Sequence, residues 1–321
     1  MATIKLYKSE TVDDTELNGG YEDTSKEIVS GIMYNLFPVV MPTEAENGIT
    51  RYRKLFVHVT AGTTAVTHFV IHQRSTGQDY FRSCAGTAGQ TQGGLLSGSP
   101  KWYGTGVLAS NVSAGATSIT VTFDGSCPDL ESGDKLLITE KPLPTSPTEN
   151  EEFAEISSVS TSGVTANITL TSGLSNGYNQ GARVCHVLEL DAIEPGWSNW
   201  QENSSSGTYD ELGHPPIVYS WGTIDEDWTL TFYSSTGFTC TGSRVGTVGT
   251  GSISSDYSPA NPAGGTYFTI EASGWGGTWS SGDTVTFSTS ASSKAVWMKE
   301  VVPAGCPAMA VNSTMVAVYF A

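Results

Sequence analysis

Cations are scarce in this chain of 321 residues: 15 Lys and Arg stand against 32 Asp and Glu, a formal net charge of −17. Neutralising phosphates takes clustered Lys or Arg, so this balance argues against direct nucleic-acid binding. Apolar runs long enough to cross a bilayer are missing, and the start MATIKLYKSE has neither a basic head nor an apolar core. The expectation is a soluble chain with no membrane contact and no export signal. The five cysteines, Cys84, Cys127, Cys185, Cys240 and Cys306, are odd in number, far apart and without a CxxC pair. That argues against a zinc knuckle and leaves buried free thiols of a cytosol-made protein, or a disulfide formed after assembly. Helical patterning is scarce too. Charged residues make up 15% and no stretch spaces apolar residues helically, while 36 Gly and abundant Ser and Thr favour strands and turns. The fold class is all-β.

What the chain does have is a repeat. In residues 117–139, Ile119, Val121 and Phe123 alternate with Ser118, Thr120 and Thr122, the period of a strand with one buried side. A turn closed by Ser132, Gly133 and Asp134 follows, and residues 136–138 read as the returning strand of a hairpin. Residues 266–288 align with this stretch without a gap: Phe268, Ile270 and Ala272 take the inward positions, Trp279 replaces Leu130, and Ser281, Gly282 and Asp283 close the turn. Gly104-Thr105-Gly106 precedes the first copy and Gly249-Thr250-Gly251 the second. A weaker third copy runs from Ile168 through Leu170 and Leu174 to Gly181 and Val184.

In chain order, residues 3–9 read as a strand, residues 10–27 as an acidic surface loop or docking arm, and residues 28–40 as strand-like up to Pro42. Arg51, Tyr52, Arg53 and Lys54 form the only basic cluster and lead into a strand at 55–60, paired with 67–73 across a short turn. The strings IKLYKSETVDD, EIVSGIMYNLFP and ITRYRKLFVHV, together with AVWMKEVVPAG at 295–305, resemble a group of tailed-bacteriophage virion proteins. The resemblance covers roughly the first 75 residues and the last 30, and it implies a virion component made in the host cytoplasm. The stretch between resembles only the inserted β modules of phage structural proteins.

The expected architecture is a β-sandwich base formed by residues 1–100, 190–236 and 291–321. Two small β modules built on the repeated hairpin, 101–189 and 237–290, are inserted into it. Strand 227–233 puts Trp228, Leu230 and Phe232 on one side, so Trp228 is expected in a core. Trp197 and Trp200, in the polar string GWSNWQENSSSG, and Trp275 and Trp279 near the second turn are candidate glycan-stacking or interface aromatics.

Catalytic signals are weak. Residues 173–177, GLSNG, fit GxSxG but sit in a turn of the third copy, away from any strand-to-helix elbow. His68 and His72 share a strand side, with His58 expected on the adjacent strand, which without a placed carboxylate is the pattern of polar residues at a sheet edge more than of a metal site. Asp124, Asp129, Glu131 and Asp134 crowd one turn, and only Asp134 has a counterpart in the second copy, so it is read as serving the turn rather than calcium. No catalytic residue, metal site or cofactor is assigned. The expected function is a non-enzymatic structural protein of the virion, a decoration or cementing component of the capsid exterior or neck. Its partners would be other virion proteins (major capsid, neck or tail subunits), with symmetric copies of itself as a homo-oligomer. Arg51, Arg53 and Lys54, with the acidic stretch 10–27, are the candidate docking residues. The alternatives are a tail or baseplate module recognising glycan and, with nothing in the sequence requiring it, a polysaccharide or ester hydrolase.

Overall fold

The computed structural model describes residues 2–307, 309 and 312–321. The chain runs through β1 (Thr3–Thr11), β2 (Gly19–Glu27), the short helix α1 (Pro42–Asn47), β3 (Ile49–Ala61), β4 (Thr67–Gln73), β5 (Tyr80–Ala85) and α2 (Gln92–Leu96). Six strands follow: β6 (Thr105–Leu108), β7 (Ser118–Phe123), β8 (Lys135–Thr139), β9 (Glu151–Ser162), β10 (Thr165–Leu170) and β11 (Arg183–His186). After β12 (Leu188–Glu189) come β13 (Gly196–Asn203), β14 (Gly207–Tyr209), β15 (Glu226–Phe232), β16 (Gly237–Gly242), β17 (Gly246–Ser252), β18 (Trp275–Gly277) and β19 (Thr284–Ser290). The chain closes on β20 (Ser293–Val302) and β21 (Met315–Phe320). The all-β reading holds.

The base is a sandwich. Strands β2-β1-β3-β20-β5 form one antiparallel sheet and β12-β4-β21 the other. Leu55, Val57 and Val59 of β3, with Val296 and Met298 of β20, pack against Phe69 and Ile71 of β4 and Leu188 of β12. The expected hairpin of 55–60 with 67–73 is therefore corrected: β3 lies between β1 and β20, and β4 between β12 and β21. Facing each other across the core, the two strands cover each other's apolar sides, which side-by-side pairing would leave bare. The acidic stretch is likewise mostly strand, because β2 folds back on β1. Residues 28–40 are not a strand; Pro38 lacks the N–H a ladder needs and Gly31 turns the chain at φ 81°.

Strands β6 to β11 close into a barrel in the order β10-β7-β6-β11-β8-β9, within the bounds 101–189. The barrel has approximate two-fold symmetry. Strands β6-β7-β8 and β9-β10-β11 are the two units. Strand β7 pairs with β10 about Thr120 opposite Asn167, and β8 with β11 about Leu137 opposite Cys185. Each unit's third strand pairs with the other unit's first, β8 with β9 and β11 with β6. Ile119, Val121, Phe123, Leu136, Ile138, Ile156, Ile168, Leu170 and Val184 fill the inside. Leu137 and Cys185 point outward and pack on Val70 and Ala317 of the second base sheet, which fixes the barrel to the sandwich.

The repeat survives as a turn and a strand, not as a hairpin. In all three copies a glycine with positive φ (Gly133 at 91°, Gly282 at 97°, Gly181 at 88°) is followed by a residue whose N–H donates three residues back. The glycine N–H donates to one carbonyl of a neighbouring strand, that of Ile156, Phe232 or Leu108. The same residue's N–H returns a bond to Asp134, Asp283 or Ala182. Because a third strand occupies this position, the two arms of each copy do not pair with each other. In the two strong copies the carboxylate completes the turn, with Asp134 accepting from the Glu131 N–H and Asp283 from the Ser280 N–H, each at 2.9 Å.

Asp134 does more than Asp283. Burial raises its pKa, but bonds from His186 Nε2 (2.9 Å), Lys101 Nζ (2.6 Å) and the Glu131 N–H outweigh that and hold it down at about 2. Relative to an ordinary Asp this is about 2 kcal/mol of stability, fully present above pH 4 and lost as pH falls towards 2. Urea unfolding of Asp134→Asn is expected to show that loss at pH 7. Asp283→Asn, whose carboxylate among the described residues meets only the Ser204 hydroxyl and the Ser280 N–H, is expected to cost under about 1 kcal/mol. Equal costs would contradict the assignment.

The second module is larger than the sequence suggests. Its sheet, β13-β19-β15-β16-β17, runs from Gly196 to Ser290, so most of 190–236, expected in the base, belongs here. The cause is the aromatic pattern: Trp228, Leu230 and Phe232 on β15 need a cover, and Phe268, Phe287 and Trp279 supply it. The module closes over the outer side of the first base sheet. There Trp221 lies against Tyr7 and His58, and His58 donates to the Ser220 carbonyl (2.8 Å) and pairs with Glu22 (2.9 Å). Both modules begin and end on paired residues, Thr105 opposite Cys185 and Gly196 opposite Ser290.

Candidate docking surface

The residues between β2 and α1 gather several exposed apolar side chains on one short stretch. Ile32, Met33 and Tyr34 are 59%, 57% and 59% exposed, and Val29, Val39 and Met41 are exposed beside them. No residue from 28 to 43 carries a charge. The loop is nevertheless held firmly. Ile28, Leu36 and Phe37 pack against the sandwich core, and Phe37 meets Phe81 edge-on at 5.3 Å. The Ile28 N–H donates to the Leu6 carbonyl at 2.7 Å, and Asn35 Nδ2 closes the tip on the Val29 carbonyl at 3.0 Å. Tyr34 sits at φ 58°, a left-handed conformation that an aromatic residue adopts only under constraint, at about 1 kcal/mol or more. Apolar side chains are thus presented on a braced turn.

The candidate docking cations lie elsewhere, inside. Arg51 and Arg53 are each 4% exposed and Lys54 1%. Arg51 pairs with Glu44, Glu300 and Asp14, and Arg53 with Asp14 (2.6 Å) and the Asp13 carbonyl (2.8 Å). Burial pushes the Glu300 carboxyl up to about 7 in spite of Arg51. Lys54 Nζ donates to the carbonyls of Gly20 (2.6 Å), Thr87 (2.7 Å), Gln90 (3.0 Å) and Ala88, above the Phe56 and Trp297 rings. These three residues are corrected from docking groups to internal ties, because both sides of β3 are covered. Sinking cations into the base also leaves the exterior more acidic than composition implies.

The four aromatics do not form one open platform. Trp279 is buried flat against Phe232 at 4.2 Å, and Trp275 packs edge-on against Trp279 and Tyr209. Trp200 stacks on Phe287 at 5.2 Å and its indole N–H reaches Glu202 at 3.1 Å. Trp197 is half-buried on β13 beyond this cluster.

The remaining candidates disperse too. His58 lies in one base sheet and His68 and His72 in the other. Burial, with Arg183 nearby, pushes His72 down to about 4. Asp124 is held by Arg74, Asp129 by the Trp102 N–H, and Glu131 and Asp134 by Lys101. The Ser175 and Asn176 N–H groups cap Glu152, an arrangement for a turn rather than a nucleophile. Across the outside of β7, β9 and β10 runs an open groove of about 580 Å³ lined by Ser110, Asn111, Ser158, Ser160, Asn167 and Thr169.

The apolar loop escaped the sequence reading because its apolar content mimics a strand. The signal that marks it is a charge-free run of sixteen residues interrupted by Gly31, Pro38 and Pro42. Compared with protein-family models, curated proteins and solved structures, the chain matches none.

Proposed function

We propose that this chain is a non-enzymatic structural protein of a tailed-phage virion, a decoration or cementing component of the capsid exterior or neck that holds neighbouring virion proteins. The braced apolar loop at 28–41 carries the reading, since several exposed apolar side chains gathered on one short loop of a well-packed body mark a protein contact. The acidic exterior, the two modules set on a sandwich and the phage-like motifs at both ends support it. Labelling the chain in purified particles and imaging them tests it: regular label on heads or necks is expected, and particles without label would overturn it.

A second reading, a tail or baseplate module that recognises glycan, draws support from the hydroxyl- and amide-lined groove on the barrel, whose uncharged donors and acceptors suit a neutral sugar. Glycan-array binding lost on Asn167→Ala, with label confined to tails, would replace the first reading with this one.

A further inference from the structure

We propose that residues 28–41 seat in an apolar groove on a different virion protein, one whose rim carries Lys and Arg. This rests on the virion reading and names the contact that the reading requires.

Size and shape come first. The exposed side chains of Val29, Ile32, Met33, Tyr34, Val39 and Met41 present roughly 600 Å² of mostly apolar surface, at the upper end for the largest patch of a monomer. That approaches one partner's share of a standard interface, about 800 Å². Ile32, Met33 and Tyr34 at the turn are each more than half exposed, so the complement that covers them is a concave apolar surface. Its anchors at Ile28, Leu36 and Phe37, the Asn35 clasp and the constrained Tyr34 backbone fix its conformation before contact, which lowers the ordering cost of association.

Charge decides among the occupants. Most of the nine carboxylates from Glu10 to Thr50 are paired within the chain, among them Asp14 and Glu44 with Arg51, Glu27 with Lys5 and Glu10 with Arg244, so the charge that a partner meets is that of the whole chain, −17. An isologous contact through the loop would bring together two chains of net charge −17 each, which disfavours a second copy. An anionic lipid surface is repelled for the same reason. A protein groove with a basic rim meets both the apolar loop and the acidic chain that carries it.

The test places a photo-crosslinker at the tip, Met33→p-benzoylphenylalanine, in assembled particles, with the crosslinked peptides identified by mass spectrometry. The expected product joins Met33's position to a different virion protein, at a peptide of apolar residues with Lys or Arg close by. Crosslinking to another copy of this chain, or no crosslink from chains that are present in the particles, would overturn the proposal and leave the virion reading standing. Absence of the chain from particles would overturn both. In parallel, Ile32→Ser with Met33→Ser is expected to lower incorporation at least tenfold while the melting temperature of the isolated protein stays unchanged. Incorporation at the wild-type level would also overturn the proposal.

Discussion

Lys54→Met is expected to destabilise the base by about 3–5 kcal/mol, the range found when one partner of a buried charged network is removed. Methionine matches the apolar stem, so the loss is not one of volume. It arises because the carbonyls of Gly20, Thr87, Ala88 and Gln90 converge on one ammonium group and would be left without a donor, each at about 1–3 kcal/mol before relaxation or water entry. Burial lowers the Lys54 pKa to about 7, while the negative charges of Asp225 and Glu10 pull the other way. The ammonium also joins three separate pieces: β3, the start of β2 and the loop before α2. Hydrogen exchange at 87–90 should therefore accelerate in Lys54→Met even below its unfolding transition. A cost under about 1 kcal/mol in urea, with exchange unchanged, would show that the cage is filled by water at no loss.

Trp279→Ala is expected to cost the second module about 3–5 kcal/mol, the usual range for emptying a buried aromatic site. Its indole lies at 6° to Phe232 and is flanked by Trp275, and the Gly207 backbone runs so close that a Cβ there would meet the ring at 2.3 Å. Trp279→Phe should cost far less, about 1 kcal/mol, because it keeps the stack and removes an indole N–H that finds no acceptor among the described residues. Trp197→Ala, outside the cluster, is expected to stay within about 0.5 kcal/mol of the wild type. Thermal unfolding of the three variants checks the order. A glycan role for Trp279 would need the opposite outcome, unchanged stability with lost sugar binding.

These two residues also show how far the sequence reaches. Alternation reveals which side of a strand is buried, and it placed Trp228, Leu230 and Phe232 correctly. It says nothing about which strand lies alongside, so the repeated segments were legible as turn and strand, whose glycine and Asp act locally, while their pairing was not. The basic cluster was misread although the pattern held the clue. Arg51 and Arg53 are in phase with Leu55, Val57 and Val59, and a side that continues into a core carries its charges inward with it. Lys54 lies on the other side, with Phe56 and His58, and its burial depends on the start of β2 and the loop before α2, which no local pattern announces. The extent of the second module was hidden for a similar reason, since a five-stranded sheet joining 196–203 to 284–290 is a long-range arrangement.

The two paired thresholds, Thr105 with Cys185 and Gly196 with Ser290, bring the start and finish of each module to within one inter-strand step, about 5 Å. Either module could be cut out and the gap bridged by a turn of two or three residues, with the sandwich strands on each side still delivered to their places. The base thus works as a socket board: lineages could exchange, lose or duplicate whole barrels and sheets at these thresholds without redesigning the part that bears the loop at 28–41.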